Sequence, residues 1–146
     1  MYFDDFHEGF TAETEESAPL TEEAIIGFAL QYDPQPFHLD PEAARDTIYG
    51  GLIASGVQTM GIALRQVIES GVWAESSMGS PGLDNVRWPR PTRPGDRLRT
   101  TMTVLSLDPS KTRPDRGRVR FGYETRNQDG DVVMSYEATQ LLKRRP

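Results

Sequence analysis

Asp33 and His38 stand five positions apart in the run Asp33-Pro34-Gln35-Pro36-Phe37-His38. A carboxylate and an imidazole are side chains that exchange protons well near neutral pH once a cleft holds them together. Two prolines keep this run out of a helix, because each fixes its own φ and biases the residue before it toward extended geometry. Gly50 and Gly51 follow, twelve and thirteen positions after His38, and lead into a long apolar segment. An acid–base pair beside free backbone N–H donors fits proton transfer on a carbonyl compound. Each part also has a plainer reading. A lone Asp…His pair is what a capping carboxylate and a surface imidazole would leave, and Tyr49-Gly50-Gly51 is also a turn that needs positive φ. Their combination with an apolar helix favours chemistry.

The elements that must position these residues can be read from periodicity. Thr21 is a helix N-cap, with Glu22 and Glu23 at the positive end of the dipole. Ile25, Phe28, Ala29 and Tyr32 then form one apolar helical face, which Pro34 terminates. From Leu52 to about Ser70 a second helix is predicted, ending at Gly71, and no charged side chain occurs between Asp46 and Arg65. A helix apolar nearly all round must be buried nearly all round, and a curved sheet is the wrapper expected in so small a chain. Strands are predicted at 9–18, 83–90, 97–107, 117–126 and 132–142, the later ones alternating apolar and polar side chains. Asn127-Gln128-Asp129-Gly130 joins the last two as a hairpin. Alternating strands joined by turns make an antiparallel sheet with one solvated face.

The bulk numbers narrow the function classes. The 146 residues fit one domain, 1–146, able to bury a core without disulfides or metals. A formal charge of −6 argues against a nucleic-acid partner. The absence of cysteine removes thiolate nucleophiles and Cys-based metal sites, and two distant histidines offer no metal-ligand spacing. No run reaches the roughly 18 apolar residues that span a bilayer, and the acidic N-terminus does not read as a signal peptide, so a cytoplasmic location is expected. His7 has no carboxylate pattern around it and is taken as structural or solvated. Arg87, Arg90, Arg93, Arg97 and Arg99 cluster within thirteen residues; they are a solvated strand edge or a site for phosphates. Trp88 is read as core or interface rather than as a ligand contact.

The run Tyr32–Asp40, the following Tyr49–Gly56, the segment from Arg87-Trp88 to Pro94-Gly95-Asp96 and the Arg126–Gly130 hairpin resemble the MaoC-like (R)-specific enoyl-CoA hydratase family. The resemblance spans nearly the whole chain. It departs at Gln35, where the family's Asp-x-Asn-Pro-x-His pattern has Asn, and near Gln58, where the family has a hydroxyl donor. It implies an α+β hotdog fold, an antiparallel sheet wrapped around a long buried central helix. It further implies that Asp33 and His38 are the catalytic pair and that the Gly50 N–H serves the oxyanion, with Gly51 beside it. Gln35, Arg90 and Arg93 are the candidate substrate-binding residues. The substrate implied is an acyl-CoA thioester, hydrated as a trans-2-enoyl group to the (R)-3-hydroxyacyl product, with no metal or redox cofactor. The partner implied is a second copy in a homodimer, with a higher homo-oligomer as the extension. Two rivals stand beside this reading: a hotdog acyl-CoA thioesterase, and a non-catalytic acyl-CoA-binding paralogue kept open by Gln35 and Gln58.

Overall fold

A computed structural model describes residues 1–146. A 3₁₀ turn (Phe3–Asp5) and a short strand β1 (Thr11–Glu13) precede helix α1 (Glu22–Tyr32). Two short helices follow, α2 (Pro36–Leu39) and α3 (Pro41–Arg45), and then the long helix α4 (Gly56–Glu69). The remainder is β2 (Leu83–Arg87), β3 (Arg99–Pro109), β4 (Arg116–Arg126) and β5 (Val132–Lys143). All pairings are antiparallel, in the spatial order β1-β3-β4-β5-β2. This is the hotdog fold that the resemblance implies.

Local chemistry accounts for most boundaries. Thr21 caps α1 by accepting the Ala24 N–H at 3.0 Å, as its position predicts. Pro34 then prevents the helix from continuing. The β4–β5 turn closes with Gly130 at φ +80 and its N–H on the Asn127 carbonyl at 3.1 Å. The Asn127 side chain accepts the Asp129 and Asp131 N–H groups, each at 3.0 Å, which explains the strength of that hairpin signal.

Four expectations change. The run 33–38 is not wholly extended: Pro36 opens the one-turn helix α2, since a proline at the first helical position loses no hydrogen bond. Helix α4 starts at Gly56, not Leu52, because Ser55 caps it by accepting the Val57 N–H at 3.3 Å. Leu52, Ile53 and Ala54 are buried outside the helix, so their apolar character reports burial rather than helical phase. Nor is α4 covered on all sides. Ala63 and Val67 pack on the sheet with Val104, Phe121 and Met134, while Val57, Leu64 and Ile68 lie exposed on the opposite face. The first strand is also much shorter than predicted, although the Thr14 and Ser17 N–H groups still reach the Thr100 and Leu98 carbonyls of the β3 edge.

Phe121 is fully buried at the centre of the sheet's inner face, with Phe6 edge-on at 5.5 Å and Tyr123 at 5.9 Å. Phe121→Ala should cost about 3–5 kcal/mol, the range for an aromatic truncated in a closed core. The urea midpoint reads it directly. A loss under about 1 kcal/mol would show that the core is looser than these contacts imply.

Candidate active site

The chain reverses at Asp33, the C-terminal cap of α1, and α2 carries His38 back beneath it. Nε2 of His38 lies 3.1 Å from Oδ2 of Asp33. Nδ1 of the same ring lies 2.7 Å from the Ile53 carbonyl, which can only accept, so Nδ1 carries a proton. The Ile53 N–H in turn donates to the Phe37 carbonyl at 3.1 Å, so residue 53 grips α2 with both of its backbone groups. His38 is buried, whereas the Asp33 side chain keeps about a quarter of its surface (23%) open to the cleft. A carboxylate oxygen and a bare ring nitrogen would repel at 3.1 Å. One proton must therefore lie between them.

Asp33 has further donors. Gln35 donates from Nε2 to Oδ1 at 2.6 Å. That bond is the main cause holding the Asp33 carboxyl below the usual carboxylate range; burial opposes it, while the Ser55 hydroxyl and His38 add to it. Gln35 therefore satisfies the carboxylate from its neighbouring position, where the family pattern has Asn. Ser55 escaped the sequence reading, because the apolar run Leu52–Ala54 looked like continuous helix. A serine directly before a glycine-led apolar helix is an N-cap signal and would have found it.

The pair opens into a cleft of about 490 Å³. Phe37, Tyr49, Ile53 and Val57 line it from the α2–α4 side, and Trp88 to Thr92 form the facing strap. The strap is tied down: the Ala54 N–H donates to the Thr92 carbonyl at 2.8 Å, and the Thr59 hydroxyl to that of Thr92 at 3.1 Å. A larger groove of about 570 Å³ runs between α4 and residues 15–21. No His is among its lining residues, and its carboxylates Glu15, Glu16 and Glu69 have no imidazole to share a proton with.

The other expected site residues are distributed unevenly. The Gly50 N–H already donates to the Thr47 carbonyl at 3.0 Å in a turn with φ +66, six residues ahead of α4, and Gly50 does not line the cleft. Gly51 also lies outside it. Gly56 does line it, and its N–H, at the first position of α4, makes none of the protein's hydrogen bonds. Arg93 braces the turn by donating to the Tyr49 carbonyl at 2.6 Å and does not reach the cleft. Arg90 stands at the cleft wall, 3.4 Å from Asp131. Gln58 donates to the Ala24 carbonyl at 3.1 Å and so ties α4 to α1, leaving its own Oε1 buried without a partner. Nowhere do three or more His, Asp or Glu side chains converge as metal ligands would.

Against known proteins, a family model described as the MaoC like domain matches residues 6–126. The chain belongs to the MaoC-like family. It is similar over 100% of its length to the crystal structure of a MaoC-like dehydratase from Rhodospirillum rubrum, with 41% identity, a TM-score of 0.93 and 99% of that chain covered. It is 31% identical over 144 residues to YdeM of Bacillus subtilis, an uncharacterized protein, covering 99% of this chain and all of that one. It is also 28% identical to the mesaconyl-CoA hydratase of Haloarcula marismortui over 99% of this chain, but spans only 40% of that protein. Membership places the chain among hydratases and dehydratases at the level of the family.

The donors on Asp33 have a measurable consequence. A carboxyl held low in the fold adds stability above its unfolded value of about 3.9, and that contribution is lost as pH falls through the folded value. Gln35→Leu removes the main cause, so the variant should be less stable than the parent at pH 7, with the gap closing below about pH 4. Urea unfolding across that range measures it. A gap unchanged by pH would mean that Gln35 acts on packing alone.

Proposed function

We propose that the protein hydrates a trans-2-enoyl thioester of coenzyme A to the 3-hydroxyacyl thioester, and catalyses the reverse dehydration. The observation that carries this reading is the 3.1 Å contact between Oδ2 of Asp33 and Nε2 of His38, which a shared proton must bridge. Hydration must remove one proton from water and place one on Cα, and a pair that holds one proton before and after can do both.

The cycle begins with Asp33 as the carboxylate and the bridging proton on Nε2 of His38. Asp33 then accepts a proton from water as the water oxygen bonds to Cβ. The Cα–Cβ electron pair shifts toward the thioester, whose oxygen gains charge. Nε2–H of His38 protonates Cα, and the proton taken by Asp33 passes back to Nε2 across the 3.1 Å contact. Because one pair on one side of the substrate performs both transfers, addition is syn; which face meets the pair sets the configuration, and the family resemblance implies the (R)-alcohol. No redox step is involved, and the carbonyl itself acidifies Cα.

The Gly56 N–H serves the oxyanion in this reading. It is unengaged and sits at the positive end of a fourteen-residue helix. The Gly50 N–H can contribute only where the turn releases it from Thr47. Arg90 meets the anionic part of the coenzyme at the rim, and Arg93 supports the turn behind it. Loss of the hydroxyl donor at Gln58 is offset by Ser55, whose hydroxyl already supports Asp33. The exposed apolar side chains of α4 and the free β2 edge, with Leu83 half exposed, support a homodimer. Pairing of a carboxylate with an imidazole favours hydration over thioester hydrolysis, since hydrolysis needs no proton delivered to carbon.

The test is the enoyl-thioester absorbance of crotonyl-CoA, followed with the parent protein, Asp33→Asn and His38→Ala. The parent should bleach the band, and each variant should turn over at least about a hundredfold more slowly. Full activity in either variant defeats the assignment. Release of free thiol in place of bleaching would establish the thioesterase, and binding with neither signal the non-catalytic paralogue.

A further inference from the structure

Two of the three aromatic rings around the cleft belong to the His38 side. Phe37 packs on His38 with centroids 4.6 Å apart and on Tyr49 at 5.3 Å. Trp88 comes from a different element, the strap that follows β2, and lines the same cleft. Its placement is over-determined. The indole N–H donates to the Gly56 carbonyl at 3.1 Å. The ring rests on Gly56 so closely that a Cβ there would sit 2.7 Å from Nε1, so only glycine fits beneath it. Pro89 and Pro91 stiffen the segment just after it, and Thr92 is fastened both to Ala54, just ahead of α4, and to Thr59 within it. Nothing in the core requires this arrangement, since the Trp88 side chain remains about half exposed (47%). A large ring kept rigid, half solvated and against the first turn of the catalytic helix is placed to touch a ligand.

We propose that Trp88 is the specificity-determining wall of the cleft and restricts the acyl group to short enoyl chains. The inference rests on the thioester reading of the site and adds to it the class of acyl group accepted. An acyl group in this cleft of about 490 Å³ lies between the Phe37–His38 side and the indole, so Trp88 bounds it on the strap side. A longer chain directed toward the strap would require the indole to move. Movement would break its bond to Gly56 and lift it from the glycine seat, so the wall does not yield as a flexible side chain would. The flat ring also matches the planar conjugated enoyl group, which can lie along it.

The experiment compares kcat/KM for crotonyl-, trans-2-hexenoyl- and trans-2-octenoyl-CoA in the parent, Trp88→Phe and Trp88→Ala. The parent should lose efficiency with chain length. Trp88→Ala should raise the octenoyl-to-crotonyl ratio by roughly tenfold or more, the scale on which hydrophobic pockets discriminate by size. Trp88→Phe should move it less, in the same direction. An unchanged ratio in folded Trp88→Ala overturns the proposal; if that variant does not fold, the Phe variant decides.

A second readout needs no turnover. The chain has two tryptophans, and Trp73 is buried, so quenching by the saturated butyryl-CoA should come from Trp88 and disappear in Trp88→Phe. Quenching without turnover of any enoyl-CoA would defeat the hydratase reading while keeping Trp88 at the thioester site. Turnover without quenching, and with the ratio unchanged, would defeat Trp88 alone.

Discussion

One backbone carbonyl governs the chemistry of this site. By accepting the Nδ1 proton of His38 at 2.7 Å, Ile53 fixes which ring nitrogen is occupied and leaves Nε2 alone to face Asp33. Without that bond the ring could flip or exchange tautomers, and neither the nitrogen facing Asp33 nor the proton on the other one would be fixed. The same residue holds Phe37 through its N–H, so α2 is fixed in position as well as orientation. Ile53 can do this only because it precedes α4 in an extended, buried segment. Had the helix begun at Leu52, the Ile53 carbonyl would have been drawn into an intrahelical bond and away from His38.

The boundary of α4 therefore serves two purposes. Ser55 ends the extended segment by capping the helix, and its hydroxyl also supports the Asp33 carboxylate. Gly56, the next residue, leaves an uncommitted N–H in the cleft and gives the Trp88 indole a seat that any side chain would occupy. Three neighbouring residues thus set the imidazole, the carboxylate and the cleft wall. The sheet's part is to hold α4 by Ala63 and Val67 on one face and to carry the strap that closes the cleft from the other side.

Much of this was legible before any coordinates. Periodicity placed α1, the long helix and the last three strands, because their buried faces repeat at 3.6 or 2 residues. The Asp33–His38 pair, which alone reads as a cap and a surface imidazole, was legible from its combination with the glycines and the apolar run and from the family resemblance, and the two residues do meet. What escaped has a common cause. Leu52–Ala54 is buried and apolar whether helical or extended, so periodicity could not locate the start of α4 or single out Ser55. Gly50 was read as a helix-start donor for the same reason, yet its N–H closes a turn instead. Arg93 and Arg90 share a charge and a neighbourhood, and only three-dimensional placement shows that one braces a backbone turn while the other reaches the cleft. Trp88 looked like core or interface because nothing in its spacing reveals Gly56 beneath it.

The central claim is that one pair, sharing one proton on one face, performs both transfers of the hydration. Hydrating crotonyl-CoA in D₂O and reading the H2–H3 coupling of the product by NMR tests it most directly. The expected product is the 3R alcohol with a single deuterium at Cα, syn to the new hydroxyl. Anti addition, or deuterium distributed over both Cα positions from the outset of the reaction, would contradict it, because either requires proton donors on opposite faces of the substrate.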